Sequence, residues 1–265
     1  MRQASRTAAR TARSATRRPP RPPRLPDLGL VAPVQSAAAV LADFAAVAHT
    51  VYDLGEESFA DNDPIATLTD QTGNTNDATQ GTASNRPLKQ TQDGIAVARF
   101  DGTNDRLDSS TFTALTDPIT VITLQRFNVA TTAAGTPVGL SNAGGLSLIH
   151  AYVTGSSQWS IWNGLAVGQG STIDTNWHVA VTTFVDSPST LYVDGNQDLT
   201  RTGNPTNTDQ IVLGDRTPST AVPFEGDIAY FGLYDGNLRV DDLTLLNDLG
   251  QALADRVGIS WTDIT

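Results

Sequence analysis

The chain reads as an all-β antiparallel sandwich with an N-terminal extended arm, a short helix after it and a C-terminal helix. Three observations predict this. Gly (22 residues) and Pro (14 residues) are scattered among many Thr, Asn and Asp residues, a composition of short strands and tight turns. Runs rich in Val, Ile, Thr, Tyr and Trp recur with turn signals roughly 8–12 residues apart. Past Gly236 the apolar spacing changes from a strand period to a helical one.

The first 26 residues contain no acid and end in RRPPRPPRLP, whose prolines favour an extended, solvated backbone. Arg2, Arg6, Arg10, Arg13, Arg17, Arg18, Arg21 and Arg24 all precede the first acid, Asp27. Removing these 8 from the 17 basic residues leaves 9 against 28 acids, a net −19 for the rest of the chain. A basic arm on an acidic body suits different partners at the two ends, or arms that dock on acidic surfaces of neighbouring copies. Residues 1–34 are therefore read as an anchoring arm that orders against a partner, with Arg10, Arg13, Arg17, Arg18, Arg21 and Arg24 as its contacts. A targeting peptide fits the same composition. Direct nucleic-acid contact fits less well, because no aromatic residue interleaves the arginines for stacking.

Residues 35–50 form the connector. Gln35–Ala48 is alanine-rich and predicts a short helix capped by Ser36, with Leu41, Phe44 and Val47 or Ala48 on one face. His49 follows as a lone histidine with a structural role. The sandwich is expected over residues 51–238. Val51–Asp53 is its first strand, and 61–64 and 73–83 are loops. Ile95–Asp101 alternates, placing Ile95, Val97 and Arg99 on one face and Ala96, Ala98 and Phe100 on the other. Asp101–Asp105 is a turn, and Leu107 begins another strand. Ile119–Phe127 is predicted as a central strand, followed by strands at 136–140, 146–153, 158–162 and 165–169. Trp177–Val185 and Thr190–Val193 make a hairpin, and Phe224–Tyr234 a later strand. Residues 239–265 close the chain. Over Arg239–Val257, Leu243, Leu246, Leu249 or Gly250, Leu253 and Val257 line one helical face, with Gly258 as the stop.

The succession WHVAVTT, LYVDG, LGDR and FEGDIAYFGLY between Trp177 and Tyr234 resembles the C-terminal half of laminin-G-like, or concanavalin A-like, jelly-roll domains. Leu68–Asp108 resembles the opening half as found in virion proteins of tailed bacteriophages. It has the D-x-T-G-N-x-N-x-A-T-Q loop from Asp70, the Arg86-Pro87 turn and V-A-R-F-D-G from Val97. The resemblance implies a jelly-roll sandwich and a structural virion protein of a tailed phage. Its expected place is the tail or tail tip, contributing to adhesion to host-surface glycans. A capsid decoration protein clamped by the arm is the alternative, and a glycan hydrolase the third class. Partners would be other virion proteins, further copies of the chain and a host glycan.

The candidate chemistry is sparse. There is no cysteine, which excludes thiol nucleophiles, thiolate metal sites and disulfides. No apolar run approaches the roughly 20 residues that cross a bilayer, so membrane insertion is not expected. A jelly-roll glycanase needs two facing carboxylates, supplied in laminarinase-like relatives by E-x-D-x-x-E. This motif is absent, and Glu occurs only at 56, 57 and 225, so no catalytic residue is assigned and no enzyme is expected. His150 and His178 lack an identifiable nucleophile partner. Calcium is the one cofactor considered: jelly rolls of the resembling kind hold it on rim loops, and Asp101, Asn104 and Asp105 offer hard oxygen ligands, as do Asp70, Asn74, Asn76 and Asp77. Ordinary turn chemistry explains the same residues. For a glycan, Trp159, Trp162, Tyr152 and Asn163 supply an aromatic platform and a polar neighbour. The two tryptophans lie three apart, so a strand points them to opposite faces.

Overall fold

The computed structural model describes residues 35–129, 135–154, 157–164, 167–203, 205–217 and 222–265. The arm, with Arg10, Arg13, Arg17, Arg18, Arg21 and Arg24, lies outside them, as does the start of the strand expected at 165–169. In chain order the first strands are β1 (Thr50–Asp53), β2 (Thr67–Leu68), β3 (Ala78–Thr79), β4 (Leu88–Gln92), β5 (Ile95–Asp101) and β6 (Leu107–Ser109). Then come β7 (Ile119–Phe127), β8 (Val138–Asn142), β9 (Gly145–Thr154), β10 (Gln158–Trp162) and β11 (His178–Phe184). The last are β12 (Ser189–Val193), β13 (Asn196–Arg201), β14 (Gln210–Leu213) and β15 (Glu225–Tyr234). The helices are α1 (Ala37–Val47), α2 (Leu238–Asp241) and α3 (Leu243–Val257).

Two antiparallel sheets face each other. One runs β13-β12-β11-β7-β15-β5-β4, with β1 also on β15; the other runs β10-β9-β8-β14-β6-β3-β2. Alternation assigns the side chains. On β7, Ile119, Val121 and Phe127 enter the core between the sheets, while Ile122 and Leu124 point the other way. The outward set meets Val97, Val179, Val181 and Ala229 from neighbouring strands, so this sheet is apolar on both faces. Helices α1 and α3 cover its outer face through Val40 and Phe44 and through Leu246, Leu249 and Leu253. The α1 stripe is Val40, Phe44 and Ala48, one turn apart; Leu41 is half-buried and Val47 is 52% exposed, which corrects the expected face.

Polar side chains fix the joints. Ser36 caps α1, its Oγ accepting from the Ala39 N–H at 3.3 Å. The single C-terminal helix expected from the sequence is two helices: Asp242 breaks the run and caps α3, accepting from the Leu245 N–H at 2.9 Å. Gly258 ends α3 at φ 70°. Arg256 donates to both oxygens of buried Asp53, at 2.9 and 2.6 Å, pinning α3 to β1. Beyond the helical cover, Asp227 is wholly buried between Arg99 (2.8 and 2.9 Å) and Arg126 (2.7 Å). The short β3 inside the expected loop 73–83, and β2, β4, β13 and β14, are additional to the predicted strands. Among the described residues no helix is long and apolar enough to cross a membrane.

Candidate functional site

The three-residue spacing of the tryptophans resolves as alternation requires. Trp159 is 1% exposed, packed edge-on to Phe127 (5.3 Å) and His178 (5.4 Å) within the sandwich. Trp162 points to the outer face of the β10-to-β2 sheet and is half-buried there. With Leu146, Ile149, Tyr152, Val167 and Arg216 it lines a hollow of about 160 Å³.

Strict alternation would scatter Leu146, Ile149 and Tyr152 over both faces of β9. Two register shifts gather them. Leu140 pairs with Leu148 but Ser141 pairs with Leu146, so Ser147 is an inserted residue. Ser160 pairs with Tyr152 and Trp162 with Ile149, with Ala151 at φ 44° taking up the extra step. Arg216 arrives from the loop after β14, which presses on the same face: a Cβ at Gly139 would stand 1.9 Å from the Arg216 carbonyl oxygen. The sequence search therefore missed Leu146, Ile149, Val167 and Arg216. The visible signal was Arg216 itself, inside the LGDR motif.

The electrostatics of the hollow are simple. Burial pushes the Tyr152 hydroxyl up to about 12, against the opposing pull of Arg216, so it stays protonated at neutral pH. Arg99, Arg106, Arg126, Arg256 and Lys89 each pair with an aspartate, whereas Arg216, like Arg86, Arg201 and Arg239, makes no ion pair among the described residues. Among the described residues its buried Nε has no hydrogen-bond partner, a state that costs about 1–3 kcal/mol or more for a charged group. Neighbouring Asp215 directs Oδ1 to backbone instead, accepting from the N–H groups of Arg216 and Val222 at 2.6 Å each.

Three of the four residues expected to form a glycan platform need correction. Trp159 belongs to the core. Asn163 is fully buried, donating to the Arg201 carbonyl at 3.1 Å, and so forms part of the wall behind β10. Tyr152 is 1% exposed and contributes to the base of the hollow, leaving Trp162 as the accessible ring.

The loop carboxylates build turns. Asp101 accepts from the Thr103 and Asn104 N–H groups at 2.8 and 3.4 Å, Asp105 accepts from the Asp101 N–H at 3.0 Å, and Asn104 donates to Asn85 at 3.1 Å. Burial, then the charge of Asp101, raises Asp105 to about 6. Asp70 is likewise buried, accepting from the backbone of Val51, Thr72 and Asn76 at 3.1 Å each, and Asn74 and Asn76 donate to the His49 carbonyl at 3.0 and 3.2 Å. The phage-like loop thus ties itself to β1. Among the described residues no three His, Asp or Glu side chains converge to hold a metal ion. The expected calcium ligands are turn residues in this geometry.

Neither His150 nor His178 is arranged as a base. His150 is fully buried with a hydroxyl on each ring nitrogen, Thr123 at 2.9 Å and Thr182 at 2.7 Å, and burial lowers it to about 3. Burial also pulls His178 down, but Asp194 at 2.7 Å and Asp174 at 3.0 Å outweigh it and leave the pKa raised. Burial and then the charge of Asp186 raise Asp117.

The family described as the concanavalin A-like lectin/glucanases superfamily matches residues 100–244. No curated protein sequence matches the chain significantly. Among solved structures, Trypanosoma rangeli sialidase in complex with a difluoro-nononic acid is similar over 80% of this chain and 33% of its own, at 15% identity and a TM-score of 0.50. A botulinum neurotoxin type C chain, whose cell entry depends on interaction with two ganglioside molecules, is similar over 80% of this chain and 53% of its own, at 12% identity and a TM-score of 0.53. The binding domain of botulinum neurotoxin serotype D covers 77% of this chain and 52% of its own, at 9% identity and a TM-score of 0.50. The chain thus spans about a third of the sialidase and about half of the toxin chains, and the likeness is one of fold.

Proposed function

Because the chain belongs to the concanavalin A-like lectin/glucanases superfamily, we propose that it is a non-enzymatic glycan-binding protein displayed on the surface of a tailed-phage particle. The observation that carries the glycan reading is the Trp162 hollow: an accessible indole over a donor-bearing, apolar base is the chemistry that stacks on a sugar ring. The toxin whose cell entry depends on gangliosides gives this fold a precedent for glycan contact. The phage reading rests on the opening loop from Asp70, the V-A-R-F-D-G strand and the acid-free arginine arm, which suits anchorage in an assembly. Within the particle, the tail or tail tip is the preferred place, as a minor component that contacts the host. The same arm would serve a capsid decoration protein equally, with further copies of the chain as partners.

The test has two parts. The purified chain on a glycan array is expected to bind, and Trp162→Ala to abolish binding while the melting temperature holds. An array with no signal, or a Trp162→Ala variant that binds as well as wild type, overturns the glycan reading. Quantitative proteomics of particles separates the locations: a few to tens of copies supports the tail, hundreds supports the shell, and none overturns the virion reading.

A further inference from the structure

Resting on the glycan reading above, we propose that the Trp162 hollow selects a sugar bearing a carboxylate, with Arg216 as the specificity-determining residue. The hydrogen-bonding inventory of the hollow points there. Neutral sugars present hydroxyls that both donate and accept, and their sites supply acceptors as well as donors. Of the six lining residues, Leu146, Ile149 and Val167 offer no polar side chain. The Trp162 indole and the Arg216 guanidinium donate and cannot accept, and Tyr152 adds a hydroxyl. A donor-rich site fits a ligand group that only accepts, which is an anion.

Arg216 has the features of an anion reader. Among the described residues it makes no ion pair and its Nε lacks a hydrogen-bond partner, and Asp215 beside it is held by backbone N–H groups. The planar guanidinium fork matches a carboxylate, taking two parallel hydrogen bonds. Size narrows the ligand further. A hollow of about 160 Å³ is well below the roughly 300–1,000 Å³ that houses drug-sized ligands, so it admits one ring or chain end rather than an extended oligosaccharide. The acidic body repels anions at long range, which leaves recognition to short-range contacts at this one cation.

The experiment titrates the full chain, followed by tryptophan fluorescence and calorimetry, with four methyl glycosides: N-acetylneuraminic acid, glucuronic acid, glucose and glucose 6-sulfate. The two carboxylated rings are expected to bind, and Arg216→Gln to weaken them about tenfold or more at an unchanged melting temperature. Arg216→Lys keeps the charge without the fork and should fall between, which also serves if Arg216→Gln proves unstable. Equal binding of methyl glucoside, indifferent to both substitutions, overturns the carboxylate assignment while leaving the glycan reading intact. Preference for the sulfated ring overturns the carboxylate class in favour of another anion. Absence of binding to all four by wild type, on a chain that is also silent on the array, overturns both readings together.

Discussion

The two sheets of the sandwich treat their outer faces differently. The sheet centred on β7 is apolar on both sides, and α1 and α3 seal its outside with a second core around Phe44, Leu246, Leu249 and Leu253. The sheet ending in β10 carries Trp162 and its neighbours outside, met by loops and by Arg216 rather than by a helix. One face is sealed by helices and the other keeps an open hollow. The same division is visible in the charges: on the helix side Asp53 and Asp227 are matched by arginines, while Arg216 on the loop side is not.

The sharpest way to break this contrast is Asp227→Ala, which leaves Arg99 and Arg126 facing a buried gap. It should cost about 3–5 kcal/mol in urea unfolding, and a loss below about 1 would show that the cluster is solvated. Leu253→Ala on α3 should follow at about 2–5 kcal/mol, since Leu253 is fully buried beneath the helix. On the other face, Trp162→Ala should cost less, about 1 kcal/mol, because Trp162 is half-buried rather than in the core; a loss as large as that of Leu253→Ala would make it a core residue.

The smallest effect concerns Asp105, whose folded pKa of about 6 lies above the ordinary aspartate value of 3.8. The folded state then binds more protons than the unfolded state between these values. Stability from this group is present below the window and is lost as pH rises through it. Asp105→Asn should therefore stabilise the protein at pH 7 by about 1 kcal/mol and flatten this part of the pH profile. Parallel profiles for the two proteins between about pH 4 and 6 would contradict the assignment.

Legibility in the sequence differed between the same two regions. Ile119–Phe127, Ile95–Asp101 and Gln158–Trp162 appear with the boundaries the sequence predicts, because each is a β-rich run bounded by turn residues. The opposite faces of Trp159 and Trp162 followed from strand alternation. The hollow did not. Its β9 residues share a face only through the inserted Ser147 and through Ala151 at positive φ, a conformation no sequence pattern marks in an alanine. Asn163 and Asp105 misled for a related reason: residue type shows that a side chain can bind a ligand, not that a backbone carbonyl or N–H already holds it. The break in the C-terminal helix was hidden because Asp242 sits between two stretches of similar periodicity.

Strand β15 runs along the whole of β7 on one side, and on the other it takes β5 against its first half and β1 against its second. It is also the last of the described strands to be synthesised. Until Glu225–Tyr234 leaves the ribosome, β7 and β5 hold open edges and β1 has no sheet to join. Assembly must therefore wait for contacts spanning most of the chain, the topology that folds slowly and exposes edges to other nascent copies. A chain cut short before β15 would lose the strand that joins β1 to β7, together with α3, and would leave α1 without the strand and helix it packs beside.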